Sequence, residues 1–275
     1  IIILLLFISL GYSQQDISNK YSETITQEDL QNLLEIYSSD EFEGRQTGEY
    51  GDVLAANFLR DFYIKNDIQP ADNTDNYFQR YKLNLPGEML TYQYSFPETL
   101  RGYDRYATGE NFVDTQNVAS IIKGEIYPDS YLIITGHLDH VGIDGDEVYN
   151  GADDNGSGTV SILEIAQAFQ EAVEDGVRPK RSVVFLHVSG EEEGLLGSEY
   201  YVNNSLYPLE NTFATLNLDM IGRTDPNRGY EDEEYVYSIG SDRISKELKK
   251  ISERINEQTE NLKLDYSFDT VSYTH

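Results

Sequence analysis

The sequence predicts an α/β fold, a three-layer sandwich with a mostly parallel or mixed central sheet flanked by helices. Apolar runs of strand length at 117–122, 131–135, 182–188, 213–218 and 235–239 alternate with helical periodicity at 159–173, 195–202 and 244–255. A sheet whose strands alternate with helices in this way is covered by them on both faces. Hydrophobic residues make up 39% of the 275 positions and aromatics 12%, ample for a sizeable core.

The elements follow in order. Ile1 to Leu10 are apolar except for Ser9, and Gly11-Tyr12-Ser13 places small residues at the −3 and −1 positions of a cut after Ser13. Residues 1–13 therefore read as a secretory signal peptide, and the protein is expected to be exported to the periplasm or outside the cell. The stretch falls short of the roughly 20 apolar residues that a membrane span needs, so no stable membrane anchor is expected. No Met or basic segment precedes Ile1, and 265–275 ends without a capped helix, its last five residues resembling translated adapter sequence. The expectation is a chain truncated at both ends.

Thr26-Gln27-Glu28-Asp29 resembles a capping box, starting a helix with Leu30, Leu33, Leu34 and Tyr37 on one face. A second helix fits 52–65 through Val53, Ala56, Phe58, Leu59 and Phe62. Residues 74–112, rich in Tyr, Asn, Pro and Gly, read as irregular or edge-strand structure. Residues 14–112 thus form a helical and irregular region leading into a catalytic core at 113–275.

Charge and cysteine content exclude whole classes. Twenty Lys and Arg face 49 Asp and Glu, a net charge of −29, which argues against nucleic acid or an anionic membrane as partner. The absence of Cys removes disulfides, thiolate metal sites, cysteine nucleophiles and a lipoprotein anchor.

In α/β sheets the chemistry collects where strands end. The run at 131–135 ends in Gly136-His137-Leu138-Asp139-His140, that at 182–189 in Gly190-Glu191-Glu192-Glu193-Gly194, and that at 213–218 in Asp219-Met220-Ile221-Gly222. Between the first two, Asn150 to Gly158 forms a Gly-rich turn with Asp153 and Asp154 that runs into a helix. Each element alone has a bland reading: a satisfied polar histidine, a solvated acidic turn, a helix cap. Together they supply the imidazole and carboxylates of a divalent metal site. Adjacent carboxylates at a strand end, with no base close in sequence, are costly unless a cation is present. Asp139, on the same strand face as His137, is placed to orient the imidazole. Glu191 and Glu192 project to opposite sides of an extended backbone, so one ligates and the other serves a water only if the turn rotates them.

His137-Leu138-Asp139, Gly151 to Gly158, Glu191-Glu192 followed by Gly194 to Ser198, and Asn217 to Gly222 resemble the motifs of the di-zinc aminopeptidases of peptidase family M28. The resemblance runs from about Glu43-Gly44-Arg45-Gln46-Thr47-Gly48 to about Asp219 and weakens toward 266. It implies two zinc ions and peptide substrates, cleaved at the N-terminus. His137 and Asp219 would hold one zinc, Glu192 the other, and Asp153 would bridge them. Glu191 would be the general base toward a shared water, with Asp139 supporting His137. It also implies a cis peptide bond between Asp153 and Asp154.

The family's late His ligand has no match here. His140 is expected to support the loop after His137, His187 to serve core packing or support the site, and His275 does not fit the motif. The second zinc site is therefore expected to be incomplete in this chain. Alternatives are a carboxypeptidase or other amidohydrolase on the same fold, and a non-catalytic binding protein if the last ligand is truly absent. A calcium-binding module fails because no glycine at 145, 151 or 156 gives an EF-hand ligand pattern. Side-chain preference, native metal and oligomeric state are not written in these residues.

Overall fold

Two-residue alternation along the central strands sorts their side chains into two layers. In β7 (Arg181–Val188), Val183 and Phe185 face one core, while Val184, Leu186 and Val188 face another. In β4 (Tyr127–His137), Ile134 joins the first core, and Tyr131 and Ile133 the second. Both strands are buried on two sides, as their continuous apolar runs require. The computed structural model describes residues 17–84, 112–228, 234–241 and 245–268. The segment read as a signal peptide and His275 lie outside them. The chain divides into two compact units, one up to Met220 and one from Ile221. That boundary falls inside the stretch 113–275 expected to form the core.

The first unit is built on a mixed sheet. β1 (Gln69–Pro70) and β2 (Phe78–Asn84) both pair antiparallel with β3 (Phe112–Ile122), which pairs antiparallel with β7. β7 runs parallel to β4, and β4 runs parallel to β8 (Thr212–Asn217). A small hairpin, β5 (Ile143–Asp144) with β6 (Glu147–Val148), stands apart from this sheet. β2, which pairs with β3 alone, is the edge strand that the reading of 74–112 as irregular or edge-strand structure allows, seven residues registered Phe78 to Val118. Arg80 and Lys82 are the charged residues that such an edge admits.

Helices cover both faces. α1 (Gln27–Tyr37) begins at Thr26, whose hydroxyl accepts the Asp29 amide at 3.1 Å, as its cap sequence predicts. α1, α2 (Tyr50–Lys65) and α3 (Gly158–Glu174) contribute Tyr37, Leu59, Tyr63, Ile162 and Leu163 to the first core, with Val118 and Phe185 from the sheet. Each such side chain contributes about 1.5–3 kcal/mol by leaving water. The N-terminal region thus shares one core with the central strands. On the opposite face, α4 (Leu196–Asn203) supplies Tyr201, which joins Leu206 and Tyr207; the Tyr207 ring stacks on Tyr131 at 4.2 Å.

In the second unit, β9 (Tyr235–Tyr237) and β10 (Lys263–Asp265) are parallel and joined through α5 (Lys246–Gln258). Arg228 lies over Tyr235, 3.7 Å from the ring centre, and pairs with Asp265 at 2.6 Å.

Candidate metal centre

Three parallel strands release their chains at one end of the sheet. His137 is the last residue of β4, opposite Val188 at the end of β7, and Asp219 lies two residues beyond β8. The Glu191-Glu192-Glu193 segment follows β7. A fourth segment, the irregular turn Ala152–Ser157, delivers Asp154 just before α3. Gly151 opens that turn at φ +53, where a Cβ would sit 2.3 Å from the Asp154 carbonyl and 2.5 Å from the His140 ring. Both its backbone angle and its space require glycine.

His137 Nε2 lies 3.2 Å from Asp154 Oδ1 and 3.7 Å from Asp219 Oδ1. One donor atom each from His137, Asp154 and Glu192 lies within 4.8 Å of the other two, the one such group of three among the described residues. On the far side of the imidazole, Nδ1 is 3.1 Å from the Asp139 carbonyl and 3.7 Å from its carboxylate. Asp139 Oδ2 accepts from Thr47 Oγ1 at 2.9 Å and from the Glu192 amide at 3.3 Å, so one buried acid supports two candidate ligands. Thr159 holds the His137 carbonyl at 2.7 Å. His140 reaches Glu192 Oε1 at 2.6 Å.

The electrostatics ask for positive charge. Burial alone disfavours a charged His137, but Asp139, Asp154 and Asp219 outweigh it and raise its pKa. The contact with His137 is the leading cause that lowers Asp154, opposed by partial burial. A divalent cation among these groups meets the same demand as that proton, and imidazole with carboxylate is a donor set suited to zinc. Glu191 behaves differently: burial and then the carboxylates of Asp139, Glu192 and Asp219, opposed by His137, bring it up to about 7.

Two buried networks fix this end of the sheet. Arg45, wholly buried, donates to the carbonyls of Leu138, Tyr37, Asn150 and Gly151 at 2.8–3.1 Å and lies over the Tyr37 ring. It ties the segment after His137 to the turn that bears Asp154. Arg45→Met strips four carbonyls of a charged donor and is expected to lower the unfolding free energy by about 3 kcal/mol or more in denaturant titration. An unchanged midpoint would refute this role.

Asp52, also wholly buried, accepts from the Gly48 amide at 2.9 Å, Thr115 at 2.8 Å and Ser189 at 2.9 Å, anchoring α2 to the end of β7. Burial raises its carboxyl from 3.8 to about 7 against the pull of these bonds. The folded state therefore favours the protonated acid. That contribution is complete below the unfolded pKa and is lost as pH climbs through about 7. Wild type is expected to lose several kcal/mol relative to Asp52→Asn between roughly pH 4 and pH 8. Denaturant midpoints of the pair across that range test it, and a constant difference refutes it.

The structure brings His137, Asp154, Glu192 and Asp219 together, with Glu191 and Asp139 beside them. Asp153 is not in the close group: its carbonyl takes the Ser157 hydroxyl at 2.7 Å, and its neighbour faces His137 instead. The cis peptide bond expected between Asp153 and Asp154 is in fact Asp154–Asn155. At Asp154 the backbone is non-helical, φ −102 and ψ 100, which turns this second acid toward the strand ends. His187 is a core residue, with Nε2 at 2.6 Å from the Tyr63 hydroxyl and its pKa brought down to about 3 by burial.

Sequence reasoning assigned no role to Arg45, Thr47, Asp52, Asn155 or Thr159. Arg45, Thr47 and Asn155 lie inside the motifs quoted above, and that proximity was the available signal.

A mixed sheet with flanking helices here gathers imidazole and carboxylates at its strand ends, a donor set suited to a divalent metal. The sequence profile of Peptidase family M28 matches residues 117–274, more than half of the chain, and the protein belongs to that family. It is 42% identical over 105 residues to leupeptin-inactivating enzyme 1 of Streptomyces exfoliatus, covering 38% of this chain and 22% of that protein. Other curated relatives are likewise matched over 14–27% of their length. The zinc aminopeptidase BSAP of Bacillus subtilis superposes with a TM-score of 0.61 at 16% identity, covering 86% of this chain and 78% of that one. Glutaminyl cyclase of Bacteroides thetaiotaomicron gives 0.56 at 15% identity, covering 84% and 72%. At these identities the structural likeness is one of fold.

Proposed function

We propose that the protein is a zinc-dependent aminopeptidase in which Glu191 is the general base. The observation that carries this is geometric: His137, Asp154, Glu192 and Asp219 converge at the strand ends, with the half-buried Glu191 next to Glu192 in the chain. Zinc held there supplies Lewis acidity and lowers the pKa of water. Glu191, next to these ligands, would take a proton from the attacking water and pass it to the leaving amine. His137, Asp154, Asp219 and Glu192 are the residues that would hold the metal. Asp139 keeps the imidazole oriented through Nδ1.

Charge favours an amino end over a carboxyl end. A chain of net charge −29 with carboxylates at its site attracts a substrate ammonium and repels a substrate carboxylate. The guanidinium built into this end of the sheet is buried, and backbone carbonyls occupy it. The description of BSAP, alike in fold, as a zinc aminopeptidase supports the reading. The fold-level likeness to glutaminyl cyclase supplies a second reading, amide chemistry at an N-terminal glutamine.

Peptides blocked at one end or the other, together with an N-terminal glutaminyl peptide, separate these readings. The proposal expects release of the first residue only where the α-amine is free, loss of activity with chelator and recovery with zinc. Equal cleavage of N-blocked peptides refutes it, and ring closure of the glutaminyl peptide without hydrolysis replaces it. Export rests on residues 1–13. Among the described residues, no helix is long and apolar enough to cross a membrane.

A further inference from the structure

We propose that Asn155 is a positioning residue that locks the two candidate ligands Asp154 and Asp219 into one geometry; the inference rests on the metal reading above. Asn155 is 1% exposed and follows Asp154 directly in the chain. Its carboxamide is spent on the segment that bears Asp219. Nδ2 donates to the Leu218 carbonyl at 2.9 Å, and Oδ1 accepts the Met220 amide at 3.3 Å. These are the two peptide groups that bracket Asp219, so one side chain fixes the backbone on both sides of that ligand. Oδ1 also takes the Gly158 amide at 3.1 Å, which pins the carboxamide to the first turn of α3. Two amide donors on one side and a carbonyl on the other leave a single orientation for the group.

Neighbouring glycines make room for it. A Cβ at Gly158 would lie 2.4 Å from Asn155 Oδ1 and 2.3 Å from the Leu218 carbonyl oxygen. A Cβ at Gly136, just before His137, would lie 3.3 Å from Nδ2 and 3.0 Å from the same carbonyl. The clamp therefore sits where β4, the start of α3 and the end of β8 converge, directly behind His137, Asp154 and Asp219. Groups that orient ligands from behind set metal affinity without touching the ion.

The test compares metal-stripped wild type, Asn155→Ala and Gly158→Ala. The second variant keeps the carboxamide but displaces it, and tolerates alanine in backbone terms because Gly158 is right-handed helical. Zinc affinity is read by competition with a chromogenic chelator at low temperature, and folding of each metal-free protein by circular dichroism and its melting point. Tyr63→Phe, which removes a buried bond to His187 in the core, is the stability control.

The expected result is a zinc affinity about 10–100-fold lower in both clamp variants while they remain folded, with wild-type affinity in Tyr63→Phe. Unchanged affinity in folded Asn155→Ala overturns the clamp alone, as does an equal loss in Tyr63→Phe. No zinc binding by wild type overturns the metal reading and the clamp with it.

Discussion

Glu191→Gln is expected to lower kcat by about 10²–10⁴-fold while zinc content stays at the wild-type level. Glutamine keeps the volume and a carbonyl oxygen but cannot take a proton from water at neutral pH. The size of the loss follows from what Glu191 alone supplies. Its carboxyl stands near 7, whereas Asp154 is held ionised by contact with His137. The ratio should persist at saturating substrate, because the missing interaction belongs to the reaction and not to binding. Parallel loss of zinc would instead make Glu191 a ligand, and wild-type turnover would remove it from the chemistry.

The second large effect separates two adjacent acids. Asp154→Asn is expected to cut zinc affinity by more than about 100-fold, beyond what a supporting residue gives, and activity with it. Asp153→Asn is expected to stay within about threefold, below the roughly 10–100-fold that loss of a supporting residue gives. The reason is geometric: Asp154 Oδ1 is 3.2 Å from His137 Nε2, while Asp153 Oδ1 takes the Ser157 hydroxyl at 3.4 Å and is not in the group of three donors around His137. Zinc titration of the two stripped variants settles it, and the opposite ranking would restore Asp153 as the bridging residue.

That pair also shows where sequence stops being sufficient. The central strands were legible because Tyr131 to Thr135 and Ser182 to Val188 are apolar on both faces, which few other elements tolerate. The strand ends followed, and with them His137, Glu191, Glu192 and Asp219. Two neighbouring acids in a glycine-rich turn carry no periodicity, so residue types could not decide between Asp153 and Asp154. The decision lies in backbone angles at Asp154 that no pattern encodes. At β2 the sequence left irregular and edge-strand structure open for a related reason, because Gln79, Arg80 and Lys82 break the apolar run that signals a central strand.

The supporting residues were hidden by distance along the chain. Arg45 acts on Leu138, Asn150 and Gly151, and Asn155 on Leu218 and Met220. Their partners are set by the fold alone. Their burial is equally invisible beforehand, since arginine and asparagine are residue types found mostly at the surface. Each joins segments that bear candidate ligands.

The central claim, that the strand ends of this sheet form a zinc centre, is tested most directly by diffraction at the zinc absorption edge from crystals of the zinc-loaded protein. The account predicts anomalous density enclosed by His137, Asp154, Glu192 and Asp219, with Glu191 beside it and Asp153 turned away. Zinc held by Asp153 with Asp154 apart, or none in this group despite zinc elsewhere in the crystal, would contradict it.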